Sequence, residues 1–255
     1  MTNLTGKTAI ITGASRGIGA TTARHLAAQG ANVVLAARSE NTVAHLAQEL
    51  RDNGLSALAL PCDVADATAV QHLITTAADN FGSLDVLVNN AGLIDPITTL
   101  ADSDPAAWSK VIDVNVKGVY HGLRYALPIM RTQGAGTIIN ISSGAANSFL
   151  EGWSHYCASK AALVRLTGIA HKENAEAGVT VVGLSPGTVA TDMMATIKAS
   201  GINPVSQLPP DTHIPAEWVA QAIAYLCGPE GKTYAGQDFS LKTNEGRAVL
   251  GLPPV

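Results

Sequence analysis

Three side chains in the middle of the sequence have the types and spacing that proton transfer needs. Tyr156 and Lys160 are four residues apart, and Ser143 lies thirteen residues before the tyrosine. The alanine- and leucine-rich segment at 161–177 has no proline, which predicts a helix with Tyr156 and Lys160 on one face. A free tyrosine titrates near pH ~10, and a neighbouring ammonium favours the phenolate. The spacing therefore predicts a tyrosine acid whose pKa is lowered by the lysine.

A glycine-rich turn near the start of the chain has the composition of a phosphate-binding loop. Gly13, Gly17 and Gly19 follow a β-type run, Thr8–Ile11, and lead into a helical stretch at 18–29. Glycines here permit a tight turn and close approach of a pyrophosphate, and the helix amino terminus favours negative charge. The strand–turn–helix context favours cofactor binding over an ordinary βα loop.

Short β-type runs alternate with alanine-rich helical stretches along the whole chain. This alternation predicts one α/β domain over 1–255, a Rossmann-type doubly wound parallel β-sheet with helices on both faces. The predicted strands are Thr8–Ile11, Asn32–Ala36, Ala57–Leu60, Val86–Val88, Thr137–Ile141 and Val179–Leu184. The predicted helices cover 18–29, 40–53, 67–81, 104–131, 156–176 and 216–226. Prolines and a glycine predict a loop at 196–215, and we expect a substrate-binding lid at about 190–214 that is mobile without ligand.

Composition narrows the classes of function. Hydrophobic residues make up 47% and charged residues 14% of the 255, which suits a sheet buried on both faces. The net charge of −4 provides no basic surface, so we expect neither nucleic acid nor a membrane as partner. No apolar run reaches the ~18 residues of a membrane span, and the first residues lack a signal-peptide layout. Cys62, Cys157 and Cys227 have neither metal-site nor disulfide spacing, so we expect no metal and a reducing, cytoplasmic location.

Further polar and glycine motifs occur in order along the rest of the chain, after the later predicted strands and within two of the predicted helices. They are Asp63-Val64, Asn89-Asn90-Ala91-Gly92, Asn115, Ile139 to Ser143, Tyr156 to Lys160, and Pro186-Gly187 with Thr191. With the G-x-x-x-G-x-G turn, they make the chain resemble the single-domain short-chain dehydrogenases/reductases over nearly its whole length. Each motif alone would be ordinary turn or core chemistry, and Tyr156 and Lys160 alone would be two solvated residues on a helix.

The resemblance implies a role for each catalytic match. Tyr156 would be the general acid in reduction and the base in oxidation. Lys160 would lower its pKa and hydrogen-bond the nicotinamide ribose, and Ser143 would bind the substrate oxygen. Ser142 competes for this last role, and the spacing from Tyr156 favours Ser143. Asn115 would help to hold a water that relays protons through Lys160; the alternative is a residue that only kinks a helix.

The resemblance also implies a dinucleotide site. Asp63 and Val64 would flank the adenine, and Thr191 would contact the nicotinamide amide or the phosphates. Asn89 and Gly92 would line the cleft, although Asn89 could be a structural bridge. The expected cofactor residues are Gly13, Ser15, Arg16, Gly17, Ile18, Gly19, Ala37, Arg38, Asp63, Val64, Asn89, Ala91, Gly92, Tyr156, Lys160, Pro186, Gly187, Val189 and Thr191.

The end of the second predicted strand indicates which dinucleotide is bound. Enzymes that use NAD usually carry an acidic residue there for the ribose 2′-hydroxyl. This chain has Ala37 followed by Arg38, with Arg16 in the glycine-rich turn. Two guanidinium groups without a carboxylate suit a 2′-phosphate, so NADP(H) is the predicted cofactor. The alternative is that Arg38 is only a solvent-facing loop residue.

Mostly apolar residues are expected over the nicotinamide. With Ser143, the predicted substrate pocket contains Leu93, Ile94, Phe149, Leu150, Trp153, Met193 and Met194. An apolar pocket favours reduction of a ketone to a secondary alcohol on a hydrophobic small molecule rather than on a sugar.

Two other functions stay open. One is 3-oxoacyl-[acyl-carrier-protein] reductase, although Gly134 and Ala177 stand where such enzymes carry arginines for an acidic carrier. The other is a non-catalytic NADP(H)-binding redox sensor, in which we would expect a broken Tyr/Lys/Ser set.

Two segments depart from the family pattern. Thr180 and Val182 stand where arginine and asparagine are frequent, and 236–245 replaces the usual glycine-rich ending. The resemblance implies a homotetramer or a dimer built through the helices at 104–131 and 156–176. The unusual ending leaves open which of the two forms.

Overall fold

A seven-stranded sheet forms the centre of the computed structural model, which describes residues 3–255. The strand order is β3-β2-β1-β4-β5-β6-β7, and every neighbouring pair is parallel. The strands are β1 (Thr8–Thr12), β2 (Asn32–Ala37), β3 (Ala57–Pro61), β4 (Val86–Asn89), β5 (Gly136–Ile141), β6 (Val179–Ser185) and β7 (Asp238–Ser240).

Helices cover both faces of this sheet. They are α1 (Gly17–Ala28), α2 (Glu40–Asp52), α3 (Ala67–Phe81), α4 (Pro105–Ile112), α5 (Gly118–Gln133), α6 (Ser154–Asn174), α7 (Asp192–Ser200), α8 (Ala216–Leu226) and α9 (Asn244–Ala248). A π-helical turn, Asp113–Lys117, joins α4 to α5. Among residues 3–255, every helix falls short of the length and hydrophobicity that crossing a bilayer requires.

The two faces of the sheet have separate apolar cores because successive strand residues point to opposite sides. Ile11 packs with α1, α2 and α8, while its neighbour Ile10 packs with α3, α5 and α6. Ile139 and Ile138 of β5 divide in the same way. Both faces are therefore buried, as the hydrophobic strand sequences predict.

Local signals fix where several helices begin and end. The Asp66 side chain accepts hydrogen bonds from the main-chain amides of Thr68 and Ala69 and so caps α3. Asp104 caps α4 in the same way, with Pro105 at the first helical position. Gly82 ends α3 in the left-handed conformation, with a φ of 78°.

The predicted fold class is confirmed, and the six predicted strands are all present. Three predictions need correction. The three-residue strand β7 is missing from the prediction, because so short a run carries little periodic signal. The helix predicted at 104–131 is α4, the π-helical turn and α5. The loop predicted at 196–215 begins inside α7 and contains two short 3₁₀ turns, Pro204–Gln207 and Pro210–Thr212.

Candidate active site

The sheet order reverses direction between β1 and β4, and this creates a cleft at their carboxyl ends. Open α/β sheets bind ligands at such a switch point. The glycine-rich turn follows β1 here, and the Asn89-Asn90-Ala91-Gly92 turn follows β4. The topology therefore brings together two motifs that lie about seventy-five residues apart in the chain.

The glycines of the first turn are required by shape. Gly13 and Gly17 have φ values of 66° and 52°, which other residues rarely adopt. A β-carbon on Gly13 would lie 2.9 Å from the α-carbon of Ala91, and one on Gly19 would collide with the Gly13 carbonyl oxygen. Arg16 occupies the N-cap position of α1, and its side chain does not cap the helix. Main-chain amides at the start of α1 therefore remain available to an anion.

Asn90 ties the two turns together, a role that its sequence motif does not reveal. Its Nδ2 donates to the main-chain carbonyls of Thr12 (2.9 Å) and Gly13 (3.3 Å). The Thr12 hydroxyl in turn accepts from the main-chain amides of Asn90 and Ala91. Asn90 therefore shapes the turn that a pyrophosphate would meet.

The Asn89 side chain bonds within the interior and does not line the cleft. It is buried, and its Nδ2 donates to Asn140 Oδ1 at 2.9 Å. Asn140 then donates to the Thr167 hydroxyl at 2.9 Å, which links β4, β5 and α6. Asn89 thus acts as a structural bridge, the alternative interpretation of its motif.

The basic residues predicted to bind a 2′-phosphate lie at the expected edge. Arg38 is exposed directly after β2, beside the buried Ala37. Arg16 lines a cavity of about 440 Å³ between α1 and α2, together with Ser15, Thr42 and His45. Arg16 also forms an exposed ion pair with Asp192 of α7, with 3.2 Å between Nη1 and Oδ2. A 2′-phosphate bound by Arg16 would compete with this carboxylate.

Asp63 and Val64 follow β3, which is the edge strand of the sheet next to β2. Val64 is buried, and a β-carbon on Gly118 would lie 2.7 Å from its Cγ2. The Asp63 carboxylate accepts a hydrogen bond from the Ala65 amide and is otherwise exposed.

Tyr156 and Lys160 lie on one face of α6 and are both buried. Lys160 Nζ donates a 2.7 Å hydrogen bond to the Ile141 carbonyl and lies 5.4 Å from the centre of the Tyr156 ring. A β-carbon on Gly92 would be 4.0 Å from Lys160 Nζ and 3.6 Å from Asn115 Oδ1. The turn after β4, the π-helical turn and α6 therefore converge on one place.

The structure distinguishes the two serines at the end of β5. Ser142 is buried and donates a 2.6 Å hydrogen bond to Asp238 Oδ2 in β7, away from the tyrosine. Ser143, the next residue, is close enough to Tyr156 for its hydroxyl to lower the pKa of the phenol. The Ser143 hydroxyl also accepts from the Ala145 amide at 3.2 Å.

Burial controls the pKa values of the Tyr/Lys pair. It raises the pKa of Tyr156 to about 12, against an opposing effect of Ser143. It lowers the pKa of Lys160 to about 8, opposed by the Asp238 carboxylate. Desolvation is the largest cause of the tyrosine shift in the chain alone, and the Lys160 ammonium bonds to the Ile141 carbonyl. The lowering of this pKa by Lys160 stays a prediction for the cofactor-bound enzyme.

Asn115 lies in the π-helical turn and is almost fully buried. Its Oδ1 accepts from the Leu93 amide, and its Nδ2 donates to the Leu93 carbonyl and the Ser159 hydroxyl. The side-chain amide therefore holds the turn after β4 against α6: both Nδ2 hydrogens are donated, and Oδ1 can still accept a second hydrogen bond. The predicted role of Asn115 in holding a water stays a prediction.

An apolar cluster covers the Tyr156 ring. Its buried members are Ile94, Ala145, Trp153, Tyr156 and Ile197, and Leu150, Met193 and Met194 pack against them. Two residues predicted for this pocket lie elsewhere. Leu93 packs into the core around α3 and α5, and Phe149 is fully exposed. Its neighbour Leu150 packs against the cluster, so the two adjacent residues differ in environment.

The predicted lid, at 190–214, contributes side chains to this cluster and is held at its two ends by main-chain contacts. Val189 pairs with Ile214 in an isolated parallel bridge, and the Ala190 amide donates to the Ile214 carbonyl at 3.0 Å. Asn203 Nδ2 donates to the Glu151 carbonyl at 2.9 Å. At the start of α7, a β-carbon on Gly17 would lie 3.2 Å from Thr191 Cγ2. The lid therefore contacts both the glycine-rich turn and the tyrosine.

The family model described as short chain dehydrogenase matches residues 7–201, most of the chain. The chain belongs to the short-chain dehydrogenase family. Two relatives illustrate the range within this family. A 3-oxoacyl-[acyl-carrier-protein] reductase of Synechocystis sp. is 39% identical over 94% of this chain and 97% of its own length. A cis-4-hydroxycyclohexanecarboxylate dehydrogenase of Sinomonas cyclohexanicum is 39% identical over 90% of this chain and 92% of its own.

Two solved structures of similar fold hold different cofactors. A variant of actinorhodin polyketide ketoreductase with NADPH has a TM-score of 0.84 at 29% identity, over 92% of this chain and 95% of that one. A NAD⁺-bound xylitol dehydrogenase has a TM-score of 0.87 at 24% identity, over 93% and 98%. Family membership therefore implies a nicotinamide cofactor and leaves the choice between the two forms to the residues of this chain.

Two charged residues of this short-chain dehydrogenase lie beside the site and are absent from the sequence-based predictions. Asp238 bonds to Ser142, and its Oδ1 is buried without a hydrogen-bond partner among residues 3–255. Lys242 lies just after β7, with its side chain along Gly187 and Gly144. Both belong to 236–245, where the family motif is absent, so pattern matching carries no signal for them.

Proposed function

We propose that this short-chain dehydrogenase is an NADP(H)-dependent carbonyl reductase acting on a hydrophobic small molecule. The observation that carries the proposal is the convergence of Tyr156, Ser143 and Lys160 beneath an apolar cluster. Three polar groups that could bind or protonate an oxygen are thus held next to side chains that exclude water.

The residues of the cleft fit a dinucleotide. β-Carbons on Gly13 and Gly19 would collide with the neighbouring turn and with the loop itself, so the glycines preserve the tight loop, and the start of α1 lacks a cap from Arg16. A pyrophosphate would bind there, with Val64 near the adenine and Lys160 near the nicotinamide ribose. When bound, the nicotinamide supplies or accepts the hydride.

Tyr156 acts as the proton donor in the direction of reduction. A pKa of about 12 in the chain alone keeps its phenol protonated at neutral pH. Ser143 orients the substrate carbonyl oxygen, and the tyrosine donates its proton to that oxygen as the bond order falls. Lys160 replaces the proton through a water held near Asn115, whose Oδ1 can accept one more hydrogen bond.

Preference for the 2′-phosphate form rests on Arg38, Arg16 and the neutral Ala37. Arg38 is exposed, and residues 3–255 provide no ion-pair partner for it. An acidic residue that would favour NAD is missing from position 37. We also propose a cytoplasmic location, because the spacing of Cys62, Cys157 and Cys227 fits neither a metal site nor a disulfide framework.

A second candidate is the reduction of a 3-oxoacyl group on an acyl carrier protein, as in the Synechocystis relative. Gly134 ends α5 and Ala177 lies after α6, and neither offers the positive charge that would receive an acidic carrier. The intact Tyr/Lys/Ser set also argues against a redox sensor without turnover.

The direct test is turnover of a panel of ketones, followed by the loss of NADPH absorbance. We expect activity on apolar cyclic and aryl ketones, and weaker activity on a 3-oxoacyl group carried by an acyl carrier protein.

A variant tests the role of the tyrosine. Tyr156→Phe should reduce kcat more than about a hundredfold, the low end for loss of a general acid, while NADPH still binds. Tyr234→Phe, at a half-buried tyrosine in the turn after α8, is the matched control. A Tyr156→Phe enzyme with near-normal kcat would refute the assignment.

A further inference from the structure

Lys242 places a positive charge next to the catalytic serine. The Leu241 amide donates to the Ser185 carbonyl at 3.0 Å, which sets Lys242 beside the end of β6. A β-carbon on Gly187 would lie 3.0 Å from Lys242 Cγ, and one on Gly144 would lie 3.1 Å from Nζ. The lysine stem therefore crosses Gly187, and its ammonium reaches the residue that follows Ser143.

Both glycines leave the room that this path requires. A side chain at Gly187 or Gly144 would meet the lysine closer than most β-carbon contacts in proteins. Gly187 has a φ of 81°, which favours glycine there in any case. Gly144 has no such backbone requirement, and the contact there is with the flexible end of the lysine side chain.

The ammonium is available for a ligand. Among residues 3–255, Lys242 Nζ has no ion-pair or hydrogen-bond partner, and its side chain is exposed. The nearby Asp238 carboxylate is bonded to Ser142. On the other side of Gly144, Ala145 belongs to the apolar cluster over Tyr156. The charge thus lies at the rim of the pocket.

We propose that Lys242 recognises a carboxylate on the substrate, so that the substrate is a compact apolar oxo acid or hydroxy acid. This inference rests on the proposed function, because it places the carbonyl at Ser143 and Tyr156. Consecutive α-carbons are about 3.8 Å apart, so Nζ lies within about 8 Å of the Ser143 α-carbon. A carbonyl and a carboxylate separated by a ring or a short chain fit this span.

The cofactor phosphates are a poorer match for this charge. They are expected at the start of α1, after β1, and Gly144 follows β5, two strands away in the sheet. Neighbouring strands are about 4.8 Å apart, so the ammonium lies about 10 Å from that position. Lys242 points to the substrate end of the cleft.

The first experiment compares two ketones that differ in one charge. Wild type, Lys242→Gln and Lys242→Arg are assayed with 4-oxocyclohexanecarboxylate and with its methyl ester. We expect Lys242→Gln to lower kcat/KM for the acid by about tenfold to a hundredfold, the range for one bond to a charged group. The ester should change less than about twofold, and Lys242→Arg should restore part of the loss. The KM for NADPH should not change.

The control variant is Lys172→Gln, an exposed lysine in the last turn of α6. It removes the same charge at the end of the helix remote from Tyr156 and should leave both substrates unaffected. Equal losses on the acid and the ester, or a loss that appears in the KM for NADPH, would overturn the assignment.

A binding measurement separates this inference from the proposed function. Titration calorimetry of cyclohexanecarboxylate into the NADPH-saturated protein needs no turnover. Binding that weakens about tenfold or more in Lys242→Gln supports the carboxylate site, even if no ketone is reduced, in which case the proposed activity fails. Absent binding, or equal binding by both proteins, refutes the site.

Discussion

Lys160 Nζ donates a 2.7 Å hydrogen bond to the main-chain carbonyl of Ile141, the last residue of β5. The bond turns the ammonium towards the sheet, at 5.4 Å from the centre of the Tyr156 ring. A buried ammonium with one neutral acceptor is destabilised by desolvation, and this lowers the pKa of Lys160 to about 8. In the chain alone, Lys160 is therefore a poor stabiliser of the phenolate and an unusually acidic lysine.

Burying the charged form of Lys160 destabilises the folded protein, and this cost should diminish as the pH rises above the lowered pKa. Between pH 8 and 10.5 the unfolded chain keeps the lysine proton and the folded chain releases it, so wild-type stability rises with pH in this window. Lys160→Met lacks the titration, and both proteins share every other titrating group. We expect the free energy of unfolding of wild type, measured by urea denaturation, to rise relative to that of Lys160→Met as the pH increases across the window. A pH-independent difference would show that Lys160 has an ordinary pKa.

Cofactor preference is decided by charge at the end of β2. If Arg38 and Arg16 each bond a 2′-phosphate at about 1.5–3 kcal/mol, kcat/KM should favour NADPH over NADH by about a hundredfold or more. Arg38→Ala should weaken NADPH and barely affect NADH. Ala37→Asp should do more, because the carboxylate repels the phosphate and accepts from the ribose hydroxyl.

Steady-state kinetics with both cofactors measures this preference. Arg131→Ala, at an exposed arginine near the end of α5, is the matched charge control and should change neither value. A wild-type preference for NADH would reject the assignment, and Arg38 would then be an ordinary surface residue.

The lid is predicted to tighten when NADPH binds. Lys198 of α7 is exposed and is the only lysine or arginine in 190–214, so trypsin reports on this segment. We expect NADPH to slow cleavage at Lys198 more than cleavage at Lys232, which lies outside the lid. Arg16→Ala removes the contact to Asp192 and should speed cleavage of the free protein less than about fivefold, because exposed ion pairs contribute about 1 kcal/mol or less. Equal protection of Lys198 with and without NADPH would contradict a moving lid.

Association is predicted through the outer faces of α5 and α6. Tyr120 on α5 and Ile169 on α6 are 51% and 54% exposed, so these two helices offer large apolar side chains to a second copy of the chain. We expect a dimer or tetramer at micromolar concentration by sedimentation velocity. Ile169→Glu should shift it towards monomer, and Thr75→Glu on the outer face of α3 should not. A monomeric wild-type protein would end this prediction.

The sequence by itself determined the fold class, six of the seven strands, and the chemical identity of the candidate site. These features depend on short-range patterns. Alternating hydrophobic runs define the strands, a glycine-rich turn joins β1 to α1, and a four-residue spacing places Tyr156 and Lys160 on one helical face. The separation of Ser143 from Tyr156 also selected the serine that the structure places beside the phenol.

Only the tertiary structure decided how these groups are surrounded. The burial of Tyr156 raises its pKa in the chain alone, opposite to the expected direction, because desolvation depends on everything packed around a group. Phe149 faces solvent while Leu150 faces the pocket, a choice made by the local path of the chain. Asp238 and Lys242 come from a segment without a family pattern, and they reach the site because parallel strands end at the same edge of the sheet.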